Sequence, residues 1–198
     1  MQLDEVQSNF SPTQHDIPVS IPLKFHHGNV MMEMIRCFKD PELMRYNITV
    51  TVIDPKGTEE AGTGEGVWRD VLTEFWVDFY ETCTTGDEMK IPFLRHDFGS
   101  DEWMSVGRII VKGWTTIRYF PVRLAPTLME EALYGQTMSS LRDCFMAFVS
   151  PGEKDLLVKA LTDFDSVEQE DLMECLQNHS CKRLPNAENI LNLVIGES

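Results

Sequence analysis

A run of β-branched residues, Ile48-Thr-Val-Thr-Val-Ile53, passes through a glycine-rich acidic loop straight into an amphipathic helix, and this succession constrains the fold more than anything else in the chain. Bounded by Asn47 and by Asp54-Pro55, the run predicts a strand, because branched side chains suit a pleated surface. The loop Gly57-Thr-Glu-Glu-Ala-Gly62-Thr-Gly64-Glu-Gly66 supplies the reversal. Beyond it, Val67, Trp68, Val71, Leu72, Phe75, Trp76 and Phe79 form a broad apolar face at helical spacing that ends before Gly86. Strand and helix together place the chain in the α+β class, mostly helical with a few short strands.

Structure is expected to begin near Ile21. Between 28 and 38, Val30, Met31, Met34, Ile35 and Phe38 predict a helix capped by Asn29 and stopped by Asp40-Pro41. Lys90–Leu94 predicts an extended connector. A helix capped by Ser100 or Asp101 carries Trp103, Met104, Val106, Ile109 and Ile110. A proline-flanked segment, Phe120–Pro126, opens a short helix over 127–133 that stops at Gly135. From 137 onward short helices follow, punctuated by Pro151-Gly152 and Pro185, with acids well in excess of bases. The organisation is thus a flexible leader over 1–20, a core over 21–136, and an acidic helical extension or reduced small subdomain over 137–198. The apolar run Ile190, Leu191, Leu193, Val194 and Ile195 predicts a helix that continues past Ser198, so a longer parent chain is expected.

The 198 residues carry 17 basic and 32 acidic side chains, a net charge of −15. Phosphate backbones and anionic leaflets need clustered Lys and Arg, so neither nucleic acid nor membrane is expected as a partner. No stretch approaches the ~20 apolar residues of a bilayer span. Met1-Gln-Leu-Asp-Glu5 has neither the basic nor the apolar region of a secretory signal. The five cysteines, Cys37, Cys83, Cys144, Cys175 and Cys181, read as reduced thiols of an intracellular protein, cytoplasmic or nuclear.

The local motifs that suggest chemistry are incomplete. The glycine spacing is wrong for a dinucleotide fingerprint, no Gly-Lys-Ser/Thr element exists, and Glu59, Glu60 and Glu65 would repel a phosphate; no cofactor is expected. Cys175-x3-His179-x-Cys181 lacks the second pair of donors that structural zinc sites use, so no metal is expected, and Cys175 is read as burying one face of an acidic helix. His96-Asp97 is read as structuring a loop. Trp68, Trp76, Trp103 and Trp114 all fall at core spacing on helices, and packing is their default role.

Three blocks carry a resemblance. Thr49–Ile53 followed by Gly57…Gly62-x-Gly64-x-Gly66-Val-Trp-Arg-Asp70 is similar to the strand, acidic glycine loop and helix-opening Gly-Val/Leu-x-Arg-Glu/Asp of HECT-type ubiquitin ligases. Trp103-Met-Ser-Val-Gly-Arg-Ile-Ile110 resembles that family's helix with a central Gly-Arg. Phe120-Pro121 through Leu133-Tyr-Gly135 resembles its next proline-flanked segment. Arg69-Asp70, Phe75-Trp76 and Leu94-Arg-His-Asp-Phe98 point to the divergent group akin to the G2/M-phase-specific ubiquitin ligase. The likeness is strong over 21–135 and weak over 136–198.

The resemblance implies an amino-terminal-lobe fold. In it, Gly107 allows close backbone approach, and Arg108 reaches past apolar neighbours to bind carbonyls or carboxylates at a helix end. In this family a cysteine on a separate carboxy-terminal lobe accepts ubiquitin as a thioester and passes it to lysine. That lobe is not expected here. Cys144 follows Gly135 too soon. His179-Ser180-Cys181…Leu184-Pro185 loosely echoes the active-site loop, and Lys182 and Arg183 beside Cys181 would favour a thiolate, yet 137–178 lacks the strands to build the lobe. No catalytic residue is assigned; Cys181 is the thiol kept as a candidate. The implied partners are a ubiquitin-conjugating enzyme and the missing carboxy-terminal lobe or another protein. The parent would be a ubiquitin-protein transferase and this chain alone inactive. The alternative is a non-catalytic protein-interaction module built on the same fold.

Overall fold

The chain is described by a computed structural model over residues 20–62 and 64–195. The leader read over 1–20 lies outside the described residues except Ser20, which opens strand β1 (Ser20–His26). Strand β2 (Asn47–Ile53) pairs with β1 in parallel, from Ser20 opposite Asn47 to His26 opposite Ile53. A parallel pair needs a crossover, and helix α1 (Val30–Cys37) supplies it. Ile21, Leu23 and Phe25 turn toward the core while Pro22 and Lys24 turn out, so Pro22 costs the two-stranded sheet nothing at its edge.

Asn29 does stand at the N-cap of α1, but its side chain makes no capping bond. The local donors are met from elsewhere: Glu33 accepts from the His26 amide at 2.8 Å, and Glu74 accepts from the Gly28 amide at 2.8 Å. After Phe38 closes α1, Asp40 accepts from the Glu42 amide and starts a 3-10 turn over Pro41–Arg45.

Helix α2 (Glu65–Cys83) begins at Gly64, whose φ of +92° favours glycine. A Cβ on Gly62 would lie 2.7 Å from Val67 Cγ2, so that glycine answers to packing. The loop ahead of α2 folds back on β2: Asp54 accepts from the amides of Lys56 and Thr58, and the Glu60 amide donates to the Val52 carbonyl. Its carboxylates are engaged, Glu59 with Lys24 and Glu60 with His27. The glycines therefore serve a chain reversal.

Short strands β3 (Thr84–Thr85) and β4 (Ile91–Pro92) pair antiparallel, and β4 is the strand within the extended connector expected over 90–94. Helix α3 (Ser100–Ile117) starts one residue earlier than the sequence suggests. Gly99 is its N-cap, and the Glu102 carboxylate reaches back to the Gly99 amide at 2.8 Å in place of a Ser100 or Asp101 cap. Helix α4 (Pro126–Tyr134) opens on proline and closes on Gly135 at φ +67°.

The rest is α5 (Leu141–Phe148), α6 (Pro151–Thr162), a 3-10 turn at Phe164–Ser166, α7 (Gln169–Asn178) and α8 (Ile190–Ile195). Ile190 and Val194 of the terminal apolar run are buried, whereas Leu191 faces solvent. The class is α+β and mostly helical, with four short strands among the described residues. No described helix is long and apolar enough to cross a membrane.

Two clusters of buried side chains result. The first gathers β1, β2, α1, α2 and α3 around the aromatic ladder of α2, where Phe75, Trp76 and Phe79 meet at centroid distances of 5.0, 5.2 and 5.9 Å. The second lies among α5 to α8 around Leu157, Leu172 and Leu176. The turn after β3 joins them: the amides of Asp87 and Met89 both donate at 2.9 Å to carbonyls at the end of α5, those of Phe148 and Ala147.

Candidate functional site

Helix α3 has two apolar faces. Ile109 and Ile117 enter the first core, and Val106 stands between that core and the groove. Gly107, Ile110, Val111 and Trp114 turn the other way, toward α4, and line an open groove of about 970 Å³. Leu128, Met129 and Leu133 of α4 form the opposite wall, and Phe93, Leu94 and Phe120 complete the lining.

Each wall is fixed by hydrogen bonds, some between backbones and some from side chains. The Ala125 amide donates to the Lys90 carbonyl at 3.0 Å and the Lys90 amide to Arg123 at 2.7 Å, which ties the start of α4 to β4. Beyond the end of α4, Glu130 accepts from the amides of Met138 and Ser139 and from the Ser139 hydroxyl at 2.7–2.8 Å. These bonds hold its carboxyl below the usual range. On the other side of α3, Arg108 donates to the carbonyls of Phe38 and Lys39 at 2.8 and 3.2 Å. Lys112, one turn on, is buried and donates to the carbonyls of Leu43 and Tyr46. Burial with no carboxylate partner lowers its pKa.

None of the residues lining the groove is ionisable. Leu94 is 93% exposed, Leu133 67%, Val111 50% and Trp114 48%, a contiguous apolar surface of the kind that marks an interaction site. Binding of an apolar segment is what such a surface can do; it holds no acid, base or nucleophile.

Two sequence expectations change here. Trp68 and Trp76 are core residues, and Trp103 bridges core and groove, stacking edge-on with Phe79 and Phe98. Trp114, however, stands half exposed on the groove wall with the Arg118 guanidinium 5.3 Å above its ring. Gly107 was expected to admit a close backbone, but a Cβ there would meet nothing within 4 Å. The glycine under close approach is Gly113, where a Cβ would lie 3.2 Å from Leu72 Cδ1 and 3.3 Å from the Tyr119 carbonyl. Arg108 does reach carbonyls at a helix end, since Phe38 is the C-cap of α1.

The cysteines are dispersed, and all five are buried or half-buried. Cys181 is half-buried just after α7, its amide bonded to the Leu176 carbonyl at 2.9 Å. It lines a separate cavity of about 420 Å³ with Cys144, Phe145 and His179. The reading of Cys175 as a buried helix face holds: it is 5% exposed, and burial pushes its thiol up to about 11. What the sequence did not bring to that face is Glu153, which meets His179 at 3.1 Å.

Asp97 is gripped by Arg95 through two bonds of 2.8 and 2.6 Å, which pull its carboxyl down to about 2. Arg95 also donates to the Thr82 carbonyl and lies 4.7 Å over Phe98, so this pair fastens the loop before α3 to the end of α2.

Comparison with protein-family models, with curated proteins and with solved structures finds no match to this chain.

Proposed function

We propose that this chain is the amino-terminal-lobe portion of a HECT-like ubiquitin ligase, a scaffold that docks a ubiquitin-conjugating enzyme and does not itself carry the ubiquitin. The observation that carries the reading is a coincidence of residues. The block that resembles the family, Trp103–Ile110, supplies Trp103, Val106, Gly107 and Ile110 to the exposed groove. The first block contributes to the same framework: Trp68 donates to Thr116 at 3.0 Å and Arg69 to the Ile117 carbonyl at 3.2 Å, pinning the end of α3.

The occupant is argued from the chemistry of the surface. An apolar groove takes an apolar anchor, and a host with net charge −15 attracts a partner whose anchor is flanked by bases. Buried or half-buried thiols without an exposed cysteine support a supporting rather than a catalytic role.

The test is a titration of the chain with a panel of ubiquitin-charged conjugating enzymes, followed by calorimetry and by non-reducing electrophoresis. Saturable binding is expected, weakened about tenfold or more by Val111→Glu or Leu133→Glu, since a charge in an apolar anchor site is costly. No reductant-sensitive ubiquitin adduct should form on the chain. An adduct lost in Cys181→Ala would overturn the non-catalytic assignment. Failure of every conjugating enzyme to bind would leave the groove to the alternative reading, a non-catalytic interaction module, which the purely apolar lining also favours.

A further inference from the structure

Glu153, Cys175 and His179 converge on one point at the margin of the second core, a place that has no part in the groove or in the proposed docking. Cys175 lies in the last turn of α7 and His179 is its C-cap, so the two are one helical turn apart on one face. Glu153 comes from the first turn of α6. One donor atom from each, a sulfur, an imidazole nitrogen and a carboxylate oxygen, lies within 4.8 Å of the other two.

The surroundings orient these donors as outer-shell groups orient metal ligands. Glu153 Oε2 accepts from the Ser150 amide at 2.9 Å and from the Ser150 hydroxyl at 2.7 Å, which leaves Oε1 turned to His179 at 3.1 Å. The Phe145 and Phe148 rings stand T-shaped to the His179 ring at centroid distances of 5.1 and 5.9 Å and fix its plane. Glu153 and Cys175 also line a shallow depression of about 410 Å³ open to solvent, which gives an ion and a water a way in.

We infer that Glu153, Cys175 and His179 form a binding site for a single borderline transition-metal ion of the zinc type. A thiolate, an imidazole and a carboxylate together suit zinc, whereas calcium and magnesium take oxygen alone. Three protein donors leave the fourth tetrahedral position to water or to a donor from outside. On binding, the Cys175 thiol loses its proton to solvent and the metal–sulfur bond takes its place. The ion would tie the start of α6 to the end of α7 across a core far smaller than the first, where metal binding adds directly to folding stability.

The metal-stripped, reduced chain is titrated with Co²⁺ and then with Zn²⁺. One equivalent of Co²⁺ is expected to produce a thiolate-to-cobalt absorption in the near ultraviolet together with strong tetrahedral bands in the visible, and Zn²⁺ should bleach both. Cys175→Ser should abolish the sulfur band, His179→Ala should weaken binding about tenfold or more, and Cys181→Ser should change neither. Zn²⁺ should raise the melting temperature of the parent chain and leave that of Cys175→Ser unmoved. X-ray absorption of the zinc-loaded parent chain, which needs no variant, should find one sulfur among nitrogen and oxygen ligands. No sulfur-to-cobalt band, a band that survives Cys175→Ser, or a shell of two sulfurs would overturn the site.

Discussion

A Cβ placed on Gly86 would lie 2.5 Å from Cδ2 of Phe148, and it would also collide with the Met89 carbonyl. Gly86 has φ +105° and belongs to the turn whose amides bond to the end of α5. The joint between the two cores therefore depends on a missing side chain. Gly86→Ala is expected to cost roughly 1–3 kcal/mol for the backbone conformation alone, with the displaced Phe148 ring adding to it. Urea unfolding measures the total. Hydrogen exchange should show α5 to α8 losing protection before α2 and α3, because the damage falls on their attachment.

Gly107 and Gly113 lie on the same helix and should respond oppositely to the same change. At Gly107 there is open space, so Gly107→Ala gains helix propensity, up to ~1 kcal/mol. At Gly113 the added methyl presses on Leu72 and the Tyr119 carbonyl, and overpacking of roughly 1–3 kcal/mol outweighs that gain. Thermal melts of the two variants should shift in opposite directions. Gly107→Leu should in addition fill the groove floor and reduce fluorescence from a bound apolar dye while the fold is kept.

Arg108 satisfies two carbonyls at the end of α1 that no helix bond reaches. Arg108→Ala should leave the Phe38 carbonyl without its charged donor, a loss of roughly 1–3 kcal/mol. Denaturant midpoints of Arg108→Ala and Arg108→Lys decide between charge and reach. Lysine should recover only part of the loss, since it must meet two carbonyls with a differently shaped head.

Much of this architecture could be read in advance, and the reasons for the exceptions are physical. Strand β2 and helix α2 announce themselves because Ile48–Ile53 is β-branched throughout and Val67–Phe79 keeps one apolar face. Strand β1 carries the alternation Ile21, Leu23, Phe25, but Pro22 and Lys24 mask it, and its partner lies beyond a whole helix. The groove was hidden for another reason. Ile109 and Ile110 look alike in sequence, yet one is fully buried and the other borders open space, and periodicity cannot separate a covered apolar face from an uncovered one. Glu153 forms a capping box with Ser150 through local bonds, and only the packing of α6 on α7 gives its second oxygen a neighbour in His179.

His27 binds carboxylates through both ring nitrogens, Nδ1 to Glu74 at 2.6 Å and Nε2 to Glu60 at 3.1 Å. Both contacts are made by donation only when the ring is protonated, and the bond to Glu74 is the main cause that raises its pKa above 6.5. A basic group with a raised folded pKa contributes stability that is fully present below the unfolded value and fades as pH climbs through the folded one. The chain should therefore lose melting temperature as pH rises from the unfolded pKa of about 6.5 through the folded value. The imidazole is 39% exposed, so solvent screens the pair and the loss should be modest. His27→Gln should flatten this limb of the profile and lower stability mainly on its acid side. A profile of the parent chain that rises across the same window would show that the ring is not held as the cation between Glu60 and Glu74.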